Sequence, residues 1–211
     1  GEMSVAGSAS MGVKNTTGTA DPSSGKSWTM GNQLTFSGGG ELDNGLNVSL
    51  SFVLDQADDS TTGLANSPFD GHSVTISSDA LGTLKFSGEG GSSAQSAMDT
   101  TAAGDIWNNG LGMASVSAAA AGNNSLFYTL PAMMDGVAIT ASMSPGRAAQ
   151  ETHTSYGLVY TGVEGLTVKF GQGDSGAPGA EIESTTMMAS YAIGSFTVSA
   201  SNTEADKTGA A

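Results

Sequence analysis

Apolar and polar residues alternate one by one through residues 46–54: Leu46, Val48, Leu50, Phe52 and Leu54 share one parity, and Asn47, Ser49 and Ser51 the other. Side chains on a strand point to opposite faces with period two, so this segment is predicted to be a strand with one apolar and one polar face. The alternation recurs at Leu34 and Phe36 among Gln33, Thr35 and Ser37, and at Leu84 and Phe86 among Thr83, Lys85 and Ser87. It returns at Leu166, Val168 and Phe170 among Thr167, Lys169 and Gly171. About eleven strands are predicted, near 2–14, 28–42, 46–56, 72–79, 82–89, 124–131, 136–144, 152–162, 165–172, 185–193 and 195–203. The chain is therefore expected to be all-β. Alternation alone fits both a sandwich that buries its apolar face and a barrel whose apolar face meets lipid.

The links between strands separate these two. Short ones are expected at 43–45, 79–82, 132–136, 162–165 and 194–195, and long ones through 15–27, 57–71, 90–123, 145–151 and 173–184. Strict alternation collects the tight turns at one end of the sheet and the large loops at the other, as in outer-membrane barrels. The expected architecture is a transmembrane antiparallel up-and-down β-barrel. Bacterial barrels have an even strand number, so an odd count whose last strand runs outward implies part of a barrel, with 204–211 opening a further outer loop.

Composition sharpens this picture. Only 12% of the 211 residues are charged, whereas a soluble surface carries about a quarter to a third. The net charge of −14 disfavours a nucleic-acid partner and favours cations. The absence of cysteine removes disulfides, thiolate zinc sites and thiol catalysis. No run approaches the roughly 18–20 apolar residues of a membrane helix, so strands alone would span. Gly1 and Glu2 lead directly into a strand pattern, without the basic end and apolar core of a signal peptide. The two histidines, His72 and His153, sit at loop edges with no nucleophile-elbow sequence, and no enzymatic activity is expected.

Three stretches, 34–52, 69–88 and 156–170, carry a resemblance; the last holds Val159, Tyr160, Thr161, Gly162, Glu164, Gly165, Leu166 and Thr167 as strand, turn and strand. In them the chain resembles the general porins of the Gram-negative outer membrane, particularly the Gly- and Ser-rich acidic porins of alphaproteobacteria. The likeness is one of pattern over most of the chain and rests on no single motif. It implies a diffusion channel for small hydrophilic solutes and ions, built as a barrel of roughly sixteen strands and commonly assembled as a homotrimer. Residues 1–211 would then form a single partial barrel domain, about five strands short of closure.

The resemblance also implies that the long loop after the fifth strand, 90–123, folds into the channel and sets its constriction. Glu89, Asp99 and Asp105 would place carboxylates there, and Lys85 and Lys169 would project into the lumen, giving a transverse field and modest cation preference. The plainer expectation for 90–123 is a linker-like outer loop, with Ile106 and Trp107 as packing residues. Asp55, Asp58, Asp59 and Asp70, and separately Asp174, Glu181 and Glu183, are weak candidates for calcium, since they offer oxygen ligands without the EF-hand order. A solvated acidic rim is the default. Trp28, Phe69, Tyr128, Tyr156, Tyr160 and Tyr191 are candidates for the aromatic girdles of a membrane barrel. The competing function is a secreted or surface β-rich structural or adhesion protein, which would seal the apolar parity inside a dry core. A receptor role for the outer loops would coexist with a pore.

Overall fold

The computed structural model describes residues 1–16, 25–55, 69–98, 122–146 and 151–207. Eleven strands follow one another: β1 (Glu2–Thr16), β2 (Gly25–Glu41), β3 (Asn47–Asp55), β4 (Phe69–Ser78), β5 (Gly82–Glu89), β6 (Ser125–Thr129), β7 (Val137–Ser144), β8 (His153–Tyr160), β9 (Leu166–Ala177), β10 (Ala180–Ile193) and β11 (Phe196–Lys207). Among the described residues between β5 and β6 there is one 3₁₀ turn, Ser96–Met98. Each strand pairs antiparallel with its neighbours in the chain, giving one sheet in the order β1 to β11.

The tight links at 42–46, 79–81, 130–136, 161–165 and 194–195 lie at one end of this meander. Each brings a glycine at positive φ to the start of the next strand: Gly45 (81°), Gly82 (77°), Gly136 (75°), Gly165 (77°) and Gly194 (60°). A side chain is strained in that conformation, so glycine fixes where each strand reverses.

The opposite end departs from expectation in two places. Residues 173–184 form no long loop: β9 runs to Ala177, β10 begins at Ala180, and Pro178 and Gly179 (φ 78°) join them. Similarly, β11 continues through Glu204 and Asp206 to Lys207, where an outer loop was expected. The cause is visible in the register. Gln172 opposes Thr185, which opposes Glu204; Asp174 opposes Glu183, which opposes Asp206. All six occupy the parity that is apolar lower down these strands, so the alternation vanishes while backbone pairing continues. β9 to β11 thus project beyond the apolar band.

Below those projecting ends the band runs across one face of the sheet. Val5 on β1, Trp28 and Leu34 on β2, Tyr156 on β8, Tyr191 on β10 and Phe196 and Val198 on β11 are all exposed. Even mid-sheet, Leu50 and Phe86 keep 40% and 41% exposure, while Ser155 and Ser184 on the polar face are at 0% and 1%. This is inverted relative to a soluble sandwich. The buried apolar residues among those described are Ala94 and Met98, and neither belongs to a strand. Tyr128, Tyr160, Tyr191 and Phe196 sit next to the tight turns, and Trp28 and Tyr156 toward the other end, so aromatics flank the band.

Candidate functional site: the polar face and its docked segment

After β5 the chain leaves the sheet through Gly90 (φ 71°) and returns at Asn124, whose amide donates to the Gly88 carbonyl at 3.1 Å. Both ends of the 90–124 link are therefore tied together. A Cβ at Gly91 would overlap the Ser125 hydroxyl, so only glycine lets the chain turn this closely over the polar face. Ser93 and Ser96 then cap each other. The Ser96 amide donates to Ser93 Oγ at 3.0 Å, and the Ser93 amide donates to Ser96 Oγ at 3.0 Å. This reciprocal arrangement satisfies the free amides that open a helical turn.

The capped segment lies on β7, β8, β9 and β10. The Ala94 amide donates to Ser142 Oγ on β7 at 2.9 Å, and the Gln95 amide to Ser155 Oγ on β8 at 3.3 Å. Ser184 Oγ on β10 donates to Gln95 Oε1 at 2.8 Å, and the Ser142 and Ser155 hydroxyls stand 2.6 Å apart. Ser142, Ser155, Gly173 and Ser184 are successive register partners, so these hydroxyls form one row across four strands. Beside the row, a Cβ at Gly157 would come within 2.9 Å of both the Ala94 carbonyl and Met98 Cε. One at Gly171 would lie 3.1 Å from Gln95 Cγ. The two glycines are the flat floor on which the segment rests.

Lys85 belongs to the same row, through the register Lys85 to Phe127 to Ser142. Lys169, opposite Val159 and Met188, shares the parity of Gly171. Both lysines therefore lie on the face that holds the segment. Glu89 does not follow them. A register shift between His72 and Ser73 pairs Ser87 with Ser73 but Glu89 with His72. His72 in turn stacks on Phe52 of the apolar parity, with ring centroids 6.4 Å apart. The shift leaves Gly88 as the extra residue, and such a slip exchanges the faces beyond it.

Asp99, Asp105, Ile106, Trp107, Asp58 and Asp59 lie outside the described residues. Asp55 ends β3, and Asp70 is exposed on β4. Among the described residues no group of three or more His, Asp or Glu side chains is arranged to hold a metal ion.

At the projecting end, Asp174 accepts hydrogen bonds from the Thr154 amide (2.9 Å) and hydroxyl (3.1 Å), and pairs with His153 Nδ1 at 2.8 Å. Burial pushes its carboxyl upward, but the Thr154 amide, His153 and the Thr154 hydroxyl together outweigh this and hold it below the ordinary aspartate value.

A Gram-negative porin family model matches residues 2–211. The chain belongs to the Gram-negative porin family. Among solved structures, a multiply substituted variant of Rhodopseudomonas blastica porin superposes with a TM-score of 0.55 at 11% identity, covering 98% of this chain and 85% of that one. Two further variants of that porin give TM-scores of 0.49 at 14% identity (97% of this chain, 85% of that one) and 0.46 at 13% (98% and 85%). A comparison with curated proteins gave no match. The likeness at 0.55 is one of fold, the porin β-barrel. The protein is thus an outer-membrane porin: the apolar face meets lipid, the polar face is the channel side and the tight turns, by the rule for such barrels, are periplasmic.

The residues that hold the segment in this porin were not singled out by the sequence pattern. The available signal was Ser142, Ser155, Gly157, Gly171, Gly173 and Ser184, all small and all on the polar parity, together with the Ser93 and Ser96 spacing. Register also reveals a second row that no single strand shows. Ser4, Ser37, Ser51, Ser73, Ser87 and Ser125 are successive partners on β1 to β6.

Proposed function

We propose that this porin is a general diffusion channel in which the 90–123 loop, anchored through residues 93–98, narrows the lumen for small hydrophilic solutes and ions. One observation carries the reading: the hydrogen bonds of Ala94 and Gln95 to Ser142, Ser155 and Ser184 lay that segment across the channel face of β7 to β10. Solutes pass through water, so width and wall charge do the sorting and no bond is made or broken. Lys85 and Lys169 furnish the positive side of the lumen, and Asp99 and Asp105 are the candidate acids facing them.

Modest cation preference is part of the same proposal. It is supported by the net charge of −14 and by Asp43, Asp79, Asp135 and Glu164, one acid in each of four periplasmic turns. Homotrimeric assembly is supported by the small residues Gly7 and Ala9 on the lipid parity of β1, which open a depression of about 620 Å³ with Asn32, Leu34 and Leu54. Liposome swelling with neutral sugars of increasing size tests the channel. A graded cut-off is expected, and sugar-impermeant proteoliposomes made from folded protein would refute it.

A further inference from the structure

At the periplasmic end of the lipid face, Leu46, Ile76, Leu81, Leu84 and Tyr128 line an apolar groove of about 240 Å³. Its lip is a fixed turn. The Leu81 amide donates to Ser78 Oγ at 3.1 Å, and the Tyr128 hydroxyl donates to the Leu81 carbonyl at 2.5 Å. Leu81 is thereby held with 63% of its surface exposed, where a flexible turn would turn it away from water. An apolar channel open to hydrocarbon and closed by a tyrosine at the interface has the shape and chemistry for one acyl chain.

The charges around the groove decide which headgroup such a chain can carry. Asp79 precedes Leu81 in the same turn, and Asp43 lies in the turn that leads to Leu46; both are exposed. The turns 42–46, 79–81, 130–136, 161–165 and 194–195 contain no lysine or arginine. The one basic side chain of β5, Lys85, is on the channel parity. A purely anionic headgroup is disfavoured beside these two turns, whereas an ammonium is attracted by the carboxylates they carry. We propose that the groove binds one acyl chain of a zwitterionic, ammonium-headed phospholipid of the periplasmic leaflet and selects against anionic phospholipid. This goes beyond solute passage and rests only on the orientation of the barrel in the membrane.

The test uses the full chain in nanodiscs containing equal phosphatidylethanolamine and phosphatidylglycerol, transferred to mild detergent, with retained lipids counted by native mass spectrometry. Wild type is expected to retain phosphatidylethanolamine in an excess on the order of fivefold. Asp43→Asn with Asp79→Asn is expected to abolish the excess, and Leu81→Ser to lower the phosphatidylethanolamine count itself. Equal retention of both lipids by wild type, or an excess unchanged in the double variant, overturns the proposal. Bilayer conductance of wild type and of Leu81→Ser stays normal in either case, so failure here is distinct from failure of the channel reading.

Discussion

Ser155 has no exposed surface, yet its hydroxyl serves two partners, the Gln95 amide and Ser142 Oγ. Replacing it removes the acceptor of a buried amide, which costs more than the net value of an ordinary hydrogen bond. Ser155→Ala is expected to destabilise the protein by about 1–3 kcal/mol, measured as a lower unfolding temperature in detergent; an unchanged temperature would mean that the segment is not anchored there. Asp174 gives a pH-dependent counterpart. Its carboxyl is held below the ordinary value, so the stability it contributes is present above the unfolded value of about 3.9 and disappears as pH falls through the lower, folded one. Melting followed through that acid range should show a loss in wild type that is smaller in Asp174→Asn. Identical acid limbs in the two proteins would discard the role given to Asp174.

For the segment as a whole, the decisive feature is the floor of glycine. Gly157 and Gly171 have ordinary strand conformations, so larger residues bring no backbone strain and act by contact alone. Gly157→Val should displace residues 94–98 from the wall, raising single-channel conductance while costing about 1–3 kcal/mol. Folded Gly157→Val protein with wild-type conductance would separate the segment from the constriction. None of this contact was legible in the sequence, because it depends on register, which brings Ser142, Ser155 and Ser184 into one row. The strands were legible where lipid imposes a rule on alternate residues, as at Leu46 to Leu54. Beyond the lipid that rule lapses, so the β9–β10 hairpin around Asp174 and Glu183 was mistaken for a loop. Parity puts Lys85 and Lys169 on the face that holds the segment, whereas Glu89 was assigned through the long loop it precedes, and the extra residue at Gly88 that shifts its register leaves no mark in the sequence.

Across the whole molecule, charge is distributed by end as well as by face. Asp43, Asp79, Asp135 and Glu164 place an exposed carboxylate in four of the five periplasmic turns, and no base accompanies them. Together they form a negative rim at the mouth of the barrel, where field lines reach the channel entrance through water. Such a field depends on salt: the screening length is about 30 Å at 0.01 M and 3 Å at 1 M. Across a mouth wider than a few ångströms, an influence of such a rim on permeating ions is expected only in dilute salt. Reversal potentials under matched KCl gradients should show a cation preference that is larger in dilute than in concentrated salt. Replacing the four acids by Asn or Gln should remove most of that salt dependence. The substitutions lie in exposed turns, so the barrel's strand pairing is left intact. If the variant keeps the full dilute-salt preference, the selectivity belongs to the channel interior, and Asp99 and Asp105 become the groups to replace next.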